Sequence, residues 1–358
     1  MNAEITGWGR ALPPAVLSNA DLEKIMDTDN EWIVSRSGIK ERRISHVETS
    51  DLAALAARRA LAAAGKTGAD VDLIILATCS PDTILPSAAA LVQAKIEAPQ
   101  AAAFDLNAAC SGWVYGLVVG TNMIRGGTNK CVLVIGAEKL HNYLDYNDRT
   151  TAFLFGDGAG AVVLEPSTSD AGLLSSKLAI DGTICDLLAM PGVGTLGDPD
   201  HGTPENMSIT MEGREIFRRA VTMMADSSSE VLQEAGMIVD DVDLVITHQA
   251  NIRIIEATAR RLGVPDEKVF VNIQNYGNTS SATVPIAISE AVEQGRIRPG
   301  SIILFTAFGS GISWGSALYR WGSRVEPLGV SDLELPANDK TALELLAPNF
   351  SFFGSPDV

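Results

Sequence analysis

The feature that most restricts the fold of this chain is an internal repeat. Residues 71–76 (VDLIIL) form an apolar run of the kind found in buried strands, and residues 242–247 (VDLVIT) repeat it with the same Val-Asp-Leu opening. Each run follows a predicted helix, over 51–65 and over 215–236, that ends near an Ala-Gly pair. We predict that Ser50 caps the first of these helices. One α/β unit is therefore used twice.

The repeat continues downstream in both halves. Residues 131–136 and 301–306 are predicted strands, and residues 158–164 and 313–319 are predicted final strands entered through glycine-rich turns. Strands that alternate with helices favour parallel sheets covered by helices. Ser, Thr, Asp and Gly cluster at 166–172, which predicts the break between the halves.

We therefore predict an α/β protein of two duplicated halves, residues 1–168 and 169–322. Residues 323–358 form a separate C-terminal tail, in which Val325 to Val358 carry several Pro, Asp and Glu residues and no strong periodicity. This composition is more typical of a surface tail or strap than of a functional lid.

Composition restricts the class of function. The 358 residues are 46% hydrophobic and 20% charged, as in a well-packed globular protein, and the net charge of −17 disfavours nucleic-acid binding. The N-terminus lacks a signal-peptide pattern, and no apolar run is long enough to span a membrane, so we expect a cytoplasmic protein. Four cysteines without metal-ligand spacing predict reduced thiols and no metal site: Cys79, Cys110, Cys131 and Cys185.

Cys110 is the candidate nucleophile. It follows the apolar segment 101–106 and opens a predicted helix that continues to about Ile124. Backbone N–H groups and the positive end of the helix dipole favour a thiolate at such a position. Small residues on both sides leave room for a substrate, but this context alone does not separate a catalytic cysteine from a structural one.

His248 and Asn278 are the candidate partners of Cys110. His248 follows the predicted strand at 242–247, at the end where parallel sheets place their chemistry, and Asn278 lies in a polar loop before a helix. Each residue on its own is more often structural. A papain-like protease also uses Cys, His and Asn, but the local signature around its cysteine is absent here.

Several motifs, taken together and in order, resemble those of the β-ketoacyl-acyl carrier protein synthase III family of the thiolase superfamily. The resemblance covers Met1 to about Trp321 and rests on six segments: Asp29 to Ile39, the Ala-Ala-Cys110-Ser-Gly turn, Phe155 to Gly160, His248 to Asn251, Gly277-Asn278-Thr-Ser, and 307–316 (AFGSGISWGS). It implies a thiolase-like fold with a layered α-β-α-β-α core.

The resemblance also implies a reaction. Cys110 takes an acyl group from an acyl-CoA primer, and malonyl-acyl carrier protein then loses CO2 and attacks the acyl-enzyme. His248 and Asn278 stabilise the enolate, while the backbone N–H groups of Cys110 and Ser310 form a second oxyanion hole. The thioesters are already activated substrates, so no metal or redox cofactor is implied. The family further implies a homodimer that works in fatty acid biosynthesis.

By motif, further residues carry implied binding roles. Trp32 and Arg149 match the pair that stacks on the CoA adenine. The other implied CoA-binding residues are Thr28, Arg36, Gly213, Phe217 and Asn251. The implied carrier-protein docking residues are Arg218, Arg253, Arg260 and Arg261. Leu85 and Phe308 are assigned to the acyl pocket.

Primer choice and rival functions stay open at this point. Leu85 stands where many members carry a phenylalanine that closes the acyl pocket across the dimer interface, so longer or branched primers are expected to fit. The rivals are an acyltransferase with a non-malonyl acceptor, a primer-specific enzyme of a specialised pathway, and a silent scaffold subunit. A thiolase would need a second catalytic cysteine, and no cysteine occurs after Cys185.

Overall fold

The computed structural model describes residues 2–195 and 207–354. Two five-stranded sheets form its centre, and two small two-stranded sheets lie beside them. The described strands are β1 Asn2–Ala11, β2 Ala15–Ser18, β3 Glu41–Ile44, β4 Leu73–Ala77, β5 Ala102–Leu106, β6 Val132–Glu138, β7 Gly158–Ser167, β8 Gly172–Ile180, β9 Leu188–Ala189, β10 Thr210–Met211, β11 Leu244–Thr247, β12 Val269–Phe270, β13 Ile302–Gly309 and β14 Ser313–Arg320.

The longer helices follow strands in both halves of the chain. The described helices are α1 Asn19–Leu22, α2 Asn30–Ser37, α3 Thr49–Ala64, α4 Ala88–Lys95, α5 Gly112–Arg125, α6 Gly213–Glu234, α7 Ile252–Leu262, α8 Ile273–Tyr276, α9 Thr283–Glu293 and α10 Ala342–Phe353. No helix among the described residues is long and apolar enough to cross a bilayer.

The two large sheets have the same strand order, which confirms the duplicated α/β architecture. The first runs β1-β7-β6-β4-β5 and the second runs β8-β14-β13-β11-β12. Their inner strands pair in parallel, but β7 is antiparallel to β6 and β14 is antiparallel to β13. The parallel pairing that the sequence favours therefore holds for the inner strands and not for β7 and β14. A tight turn over residues 310–312 reverses the chain between β13 and β14, whereas the longer segment 139–157, which forms no α-helix, connects β6 to β7.

The sheets and helices stack in five layers. Trp113 of α5 and Ile288 of α9 lie in a buried cluster between the two sheets, with residues from both sheets around them. Helices α3 and α4 cover the outer face of the first sheet, and α6 and α7 cover that of the second. This is the predicted α-β-α-β-α order. It brings the carboxyl ends of β5 and β11 to the same region of the molecule.

Several local predictions need adjustment. Gly65 and Gly236 adopt left-handed φ values of 67°, as expected after a helix. Ser50 does not cap α3, because the helix begins at Thr49 after Glu48, and the Ser50 hydroxyl donates to Asp82 instead. The tail contains a helix, α10, although its composition shows no strong periodicity. The signal for α10 was the capping box of Thr341 and Glu344 before an apolar run.

Candidate active site

Cys110 lies where β5 turns into α5, within the short 3₁₀ turn Ala109–Ser111. Ala109, directly before it, has a φ of 46°, in the left-handed region that costs energy for a residue with a side chain. The end of β13 approaches so closely that a Cβ on Gly309 would lie 2.7 Å from the Cys110 nitrogen. The strained turn and the bare backbone of Gly309 together bring the second half against the thiol.

His248 follows β11 and is 3% exposed. Its Nδ1 lies 2.7 Å from the Thr283 hydroxyl oxygen, and that hydroxyl is also 2.9 Å from the Ser280 carbonyl oxygen. When the Thr283 proton points to Nδ1, the ring proton sits on Nε2; when it points to Ser280, Nδ1 carries the proton. Burial lowers the pKa of His248 to about 3, so the imidazole is neutral at pH 7.

Asn278 is held by backbone contacts with the first half of the chain. Its N–H donates to the Leu154 carbonyl at 2.8 Å, and its carbonyl accepts from the Gly156 N–H at 3.0 Å. The side-chain Oδ1 accepts from the Ser280 N–H at 2.8 Å. Because its oxygen is occupied in this way, the amide NH2 group is the part that is free to donate.

The three candidate catalytic side chains line a single cavity. This cavity has a volume of about 560 Å3, and Cys110, His248 and Asn278 all contribute to its wall. A second cavity of about 460 Å3 is also lined by Cys110, together with Ile84 and Ser310. Cys110 thus lies at the boundary between two cavities.

The expectation that the helix start favours a Cys110 thiolate was wrong. Burial raises the pKa of the thiol to about 12. The hydrogen bond with the Ser280 hydroxyl lowers this pKa, the nearby Glu138 carboxylate raises it, and the Cys110 backbone N–H lowers it, and burial has the largest effect. The cost of removing a thiolate from water outweighs these donors. Without substrate, the nucleophile is therefore a neutral thiol beside a neutral imidazole.

We expect the alkylation of Cys110 by iodoacetamide to reflect this pKa. The thiolate fraction rises about tenfold per pH unit below the pKa, so the rate should climb steadily from pH 7 to pH 9. The rate is measured by mass spectrometry of the peptide that contains Cys110, with the exposed Cys185 as an internal comparison. A rate that levels off below pH 9 would contradict the structure.

Trp32 and Arg149 form a pair beside the larger cavity. The Arg149 guanidinium lies 5.0 Å from the Trp32 ring centre, Arg36 lies 5.8 Å from it, and Phe153 meets the indole edge-on at 5.1 Å. An aromatic face next to a guanidinium plane is suited to stacking on a flat heterocycle. Of the residues assigned to CoA binding, the larger cavity is lined by Trp32, Arg36, Gly213, Phe217 and Asn251.

Other assigned residues lie elsewhere. Thr28 and Arg149 do not line the larger cavity, although Arg149 touches Trp32. Phe308, which was assigned to the acyl pocket, lines the larger cavity. Leu85 is 87% exposed and lines neither, whereas its neighbour Ile84 lines the smaller cavity.

Comparisons with known proteins identify the family of this chain. Family models described as 3-oxoacyl-[acyl-carrier-protein] synthase III and its C-terminal part match residues 104–182 and 232–321. A beta-ketoacyl-[acyl-carrier-protein] synthase III 2 from Vibrio vulnificus is 54% identical over 96% of this chain and 95% of its own length. A synthase III from Roseiflexus castenholzii is 53% identical over 90% of this chain and 98% of its own.

A solved structure extends the comparison to three dimensions. The 3-oxoacyl-[acyl-carrier-protein] synthase III of Aquifex aeolicus matches 89% of this chain and all of its own, with 46% identity and a TM-score of 0.84. This chain belongs to the 3-oxoacyl-[acyl-carrier-protein] synthase III family. The predicted family and its thiolase-like fold are therefore confirmed.

In this synthase III family member, a buried carboxylate that the sequence analysis missed organises the site. Glu138, at the end of β6, has no exposed surface. It accepts hydrogen bonds from both sides of the catalytic region, from the hydroxyl groups of Thr78, Ser80, Ser280 and Ser281 and the backbone N–H of Cys79. Ser280 and Ser281 belong to the second half, so Glu138 ties the Asn278 loop to the first sheet. Only tertiary structure brings these short polar residues together.

The arginines assigned to carrier-protein docking lie on α6 and α7 of the family fold. All four are exposed, namely Arg218, Arg253, Arg260 and Arg261. Arg218 pairs with Glu215 and Arg261 pairs with Asp226, while the Arg253 guanidinium lies 5.7 Å from the Phe217 ring centre. Arg253 also lines the larger cavity, as does exposed Arg214, which the sequence analysis missed. Some of the positive charge is therefore at the cavity itself.

Proposed function

We propose that this protein is a 3-oxoacyl-acyl carrier protein synthase III, which condenses an acyl-CoA primer with malonyl-acyl carrier protein and releases CO2. The observation that carries the proposal is the shared cavity: one cysteine, one histidine and one asparagine, drawn from both halves of a synthase III family fold, line its wall. The relatives named above carry the same activity in their names.

In the first half-reaction, the sulfur of Cys110 attacks the thioester carbonyl of the primer. The thiol proton moves by way of Nε2 of His248 to the departing CoA sulfur, so that an acyl-cysteine and free CoA result. Backbone N–H groups of Cys110 and Ser310 stabilise the oxyanion that forms on the way. A neutral imidazole with an open Nε2 lone pair suits this step.

In the second half-reaction, malonyl-acyl carrier protein loses CO2 and leaves an enolate on its thioester. The amide NH2 of Asn278 and the Nε2–H of His248 donate to the enolate oxygen. The Nε2–H form arises when the Thr283 hydroxyl donates to Nδ1, across the 2.7 Å contact. The carbanion then attacks the acyl-cysteine carbonyl, the C–S bond breaks, and the β-ketoacyl product leaves on the carrier protein. The released Cys110 sulfur takes up one proton from solvent and is again a thiol.

The two cavities fit the two ends of the primer. We propose that the larger one holds the pantetheine arm, that the adenine stacks at the Trp32–Arg149 pair once their 5.0 Å separation widens to admit it, and that Thr28 and Arg36 lie near the nucleotide. The smaller cavity holds the acyl chain on the other side of Cys110. The thioester then lies at the boundary, next to the thiol.

The proposed macromolecular partners are an acidic carrier protein and a second copy of this chain. The exposed arginines on α6 and α7 suit an acidic carrier surface. The second copy suits the edge strand β5, because Ile84, Leu85 and Phe104 are all exposed in one chain. We place the protein in the cytoplasm and its reaction in fatty acid biosynthesis. The reaction draws on thioester substrates and uses neither metal nor redox cofactor.

The deciding experiment follows both half-reactions. The protein is incubated with acyl-CoA and then with malonyl-acyl carrier protein labelled with ¹⁴C at its free carboxyl. Acyl-enzyme formation followed by CO2 release and a β-ketoacyl product supports a synthase. An acyl-enzyme that transfers its group without CO2 release indicates the rival acyltransferase. The absence of an acyl-enzyme with every acyl-CoA from acetyl to decanoyl, straight or branched, indicates a scaffold.

We expect Asn278→Ala to separate the two half-reactions. Loss of one oxyanion donor costs about 10²–10³-fold in turnover, so CO2 release should fall by that amount while Cys110 is still acylated. The measurements are ¹⁴CO2 release and the mass of the acyl-enzyme. Asn275→Ala, an exposed change two residues before Gly277, is the control and should leave both unchanged. Equal loss of acylation and decarboxylation would contradict the assigned role.

Leu85→Phe should shorten the accepted primer. If Leu85 closes the acyl pocket of the second copy, a larger ring there should lower kcat/KM for decanoyl-CoA at least about tenfold relative to acetyl-CoA. Ile238→Phe, an equally conservative change at an exposed position of the second half, should not alter the profile. An unchanged profile for Leu85→Phe would show that other residues close the pocket.

A further inference from the structure

The C-terminal segment 323–354 lies beyond the match to the family model, which ends at residue 321, although the Vibrio vulnificus relative aligns with 96% of the chain. It crosses the outer face of α3, where Leu328 N–H donates to the Ala63 carbonyl and Arg59 donates to the Leu333 carbonyl. His46 contacts the Pro336 carbonyl farther along, before α10 begins at Ala342. Hydrogen bonds at three points therefore hold this segment against the first half of the chain before α10 begins.

Helix α10 packs against the chain that follows β6. Phe350 meets the ring of Tyr146 edge-on, with centres 5.4 Å apart and planes at 86°. The Asn349 side chain donates to the His141 carbonyl at 2.7 Å, and the Phe353 carbonyl accepts from the Asn147 side chain at 3.3 Å. Asn349, Phe350 and Tyr146 are all buried, so this is a packed interface and not a loose surface contact.

Arg149 lies in the segment that α10 contacts. We name residues 144–153 the clamp loop, because Arg149 and Phe153 within it touch Trp32 from two sides. Hydrogen bonds between residues close in sequence make the loop compact; for example, the Ala152 N–H donates to the Asp148 carbonyl at 3.2 Å. Tyr146 and Arg149 are three residues apart in this loop. A shift of the buried Tyr146 therefore moves the Arg149 guanidinium.

The other contacts of Arg149 lie at the solvent-exposed surface, including a 2.8 Å hydrogen bond to the Asp27 carbonyl. It donates to the Asp27 carbonyl and pairs with the Asp27 carboxylate at 3.3 Å, but the Asp27 side chain is fully exposed and that of Arg149 is about half exposed. Exposed pairs contribute little to the ordering of a side chain. The position of Arg149 over Trp32 therefore depends on the residues that pack against the clamp loop.

We infer that α10 is a positioning element for nucleotide binding: by packing on Tyr146 and His141 it holds the clamp loop so that Arg149 faces Trp32. The inference rests on the proposed function, because it assigns the Trp32–Arg149 pair to the adenine of CoA. Helix α10 does not touch the reacting atoms. Its effect is confined to thioesters that carry the nucleotide.

The test compares two primers in the full-length protein. One is acetyl-CoA, and the other is the N-acetylcysteamine thioester of acetate, which has no nucleotide. In Phe350→Ala, KM for acetyl-CoA should rise about tenfold or more, since small misplacements of binding groups have effects of this size. Its kcat/KM with the N-acetylcysteamine thioester should stay within about twofold of the wild type.

The control variant is Phe352→Ala, which removes a half-exposed ring from the same helix and should change neither KM. Phe350→Leu keeps most of the apolar volume and should raise KM for acetyl-CoA about threefold, which provides a measurement if the alanine variant does not fold. An unchanged KM for acetyl-CoA, or an equal loss with both primers, would overturn the inference. Absence of acylation in the wild type would instead refute the proposed function.

Discussion

Cys110→Ala is expected to abolish the acyl-enzyme. With no sulfur at the boundary of the two cavities, no covalent intermediate forms, and condensation should fall by at least about 10³-fold. The measurement is the mass of the intact protein after incubation with acyl-CoA, which rises by one acyl group in the wild type. The condensation rate with malonyl-acyl carrier protein is measured in parallel.

The matched control is Cys131→Ala. Cys131 is also a buried thiol whose pKa burial raises to about 12, but it lies at the start of β6 and lines neither catalytic cavity. Its replacement should leave the acyl mass in place. An acyl mass that persists in Cys110→Ala, for example on Cys79 in the smaller cavity, would refute the assignment of the nucleophile.

Glu138→Ala is expected to have the largest effect on stability. The change removes the carboxylate that accepts from four hydroxyl groups and a backbone N–H in a fully buried site; of these groups, Ser281 keeps a second acceptor, the Ala77 carbonyl at 2.8 Å. Breaking a buried polar network of this kind typically costs about 3–5 kcal/mol. The free energy of unfolding should fall by about this amount in chemical denaturation, and any folded protein should lose activity because the Ser280 contact with Cys110 is loosened.

Two further variants test the cause. Glu138→Gln keeps one acceptor oxygen and the same shape, so its loss of stability should be clearly smaller than that of the alanine variant. Glu230→Ala removes a half-exposed carboxylate that pairs with Lys177, and should cost no more than about 1 kcal/mol. Equal effects of Glu138→Ala and Glu230→Ala would show that the network contributes little.

The architecture was predictable because burial leaves a periodic pattern in the sequence. The Val-Asp-Leu repeat located β4 and β11, and the glycine-rich turns located β7 and β14. The edge strands β1 and β8 were not predicted, since their long-range pairing with β7 and β14 leaves no local signal. Antiparallel pairing was missed for the same reason.

The candidate site was predictable as a set of residue types at the ends of strands. Its electrostatics were not, because the acidity of Cys110 depends on burial by residues far away in the chain. The role of Glu138 depends on four hydroxyl groups from two separate segments, 78–80 and 280–281. Leu85 was assigned to the acyl pocket by resemblance; in the single chain it is 87% exposed, and the assignment stays a prediction. The domain boundaries at 168 and 322 stay predictions.

The position of Cys110 between two cavities has a kinetic consequence. Both thioesters of the proposed reaction must present their carbonyl groups to the wall formed by Cys110, His248 and Asn278, so the two long arms occupy the same space in succession. Such an enzyme follows ping-pong kinetics, in which the first product leaves before the second substrate binds. Excess primer then competes with the extender for the acylated form, and the flux depends on the ratio of the two pools.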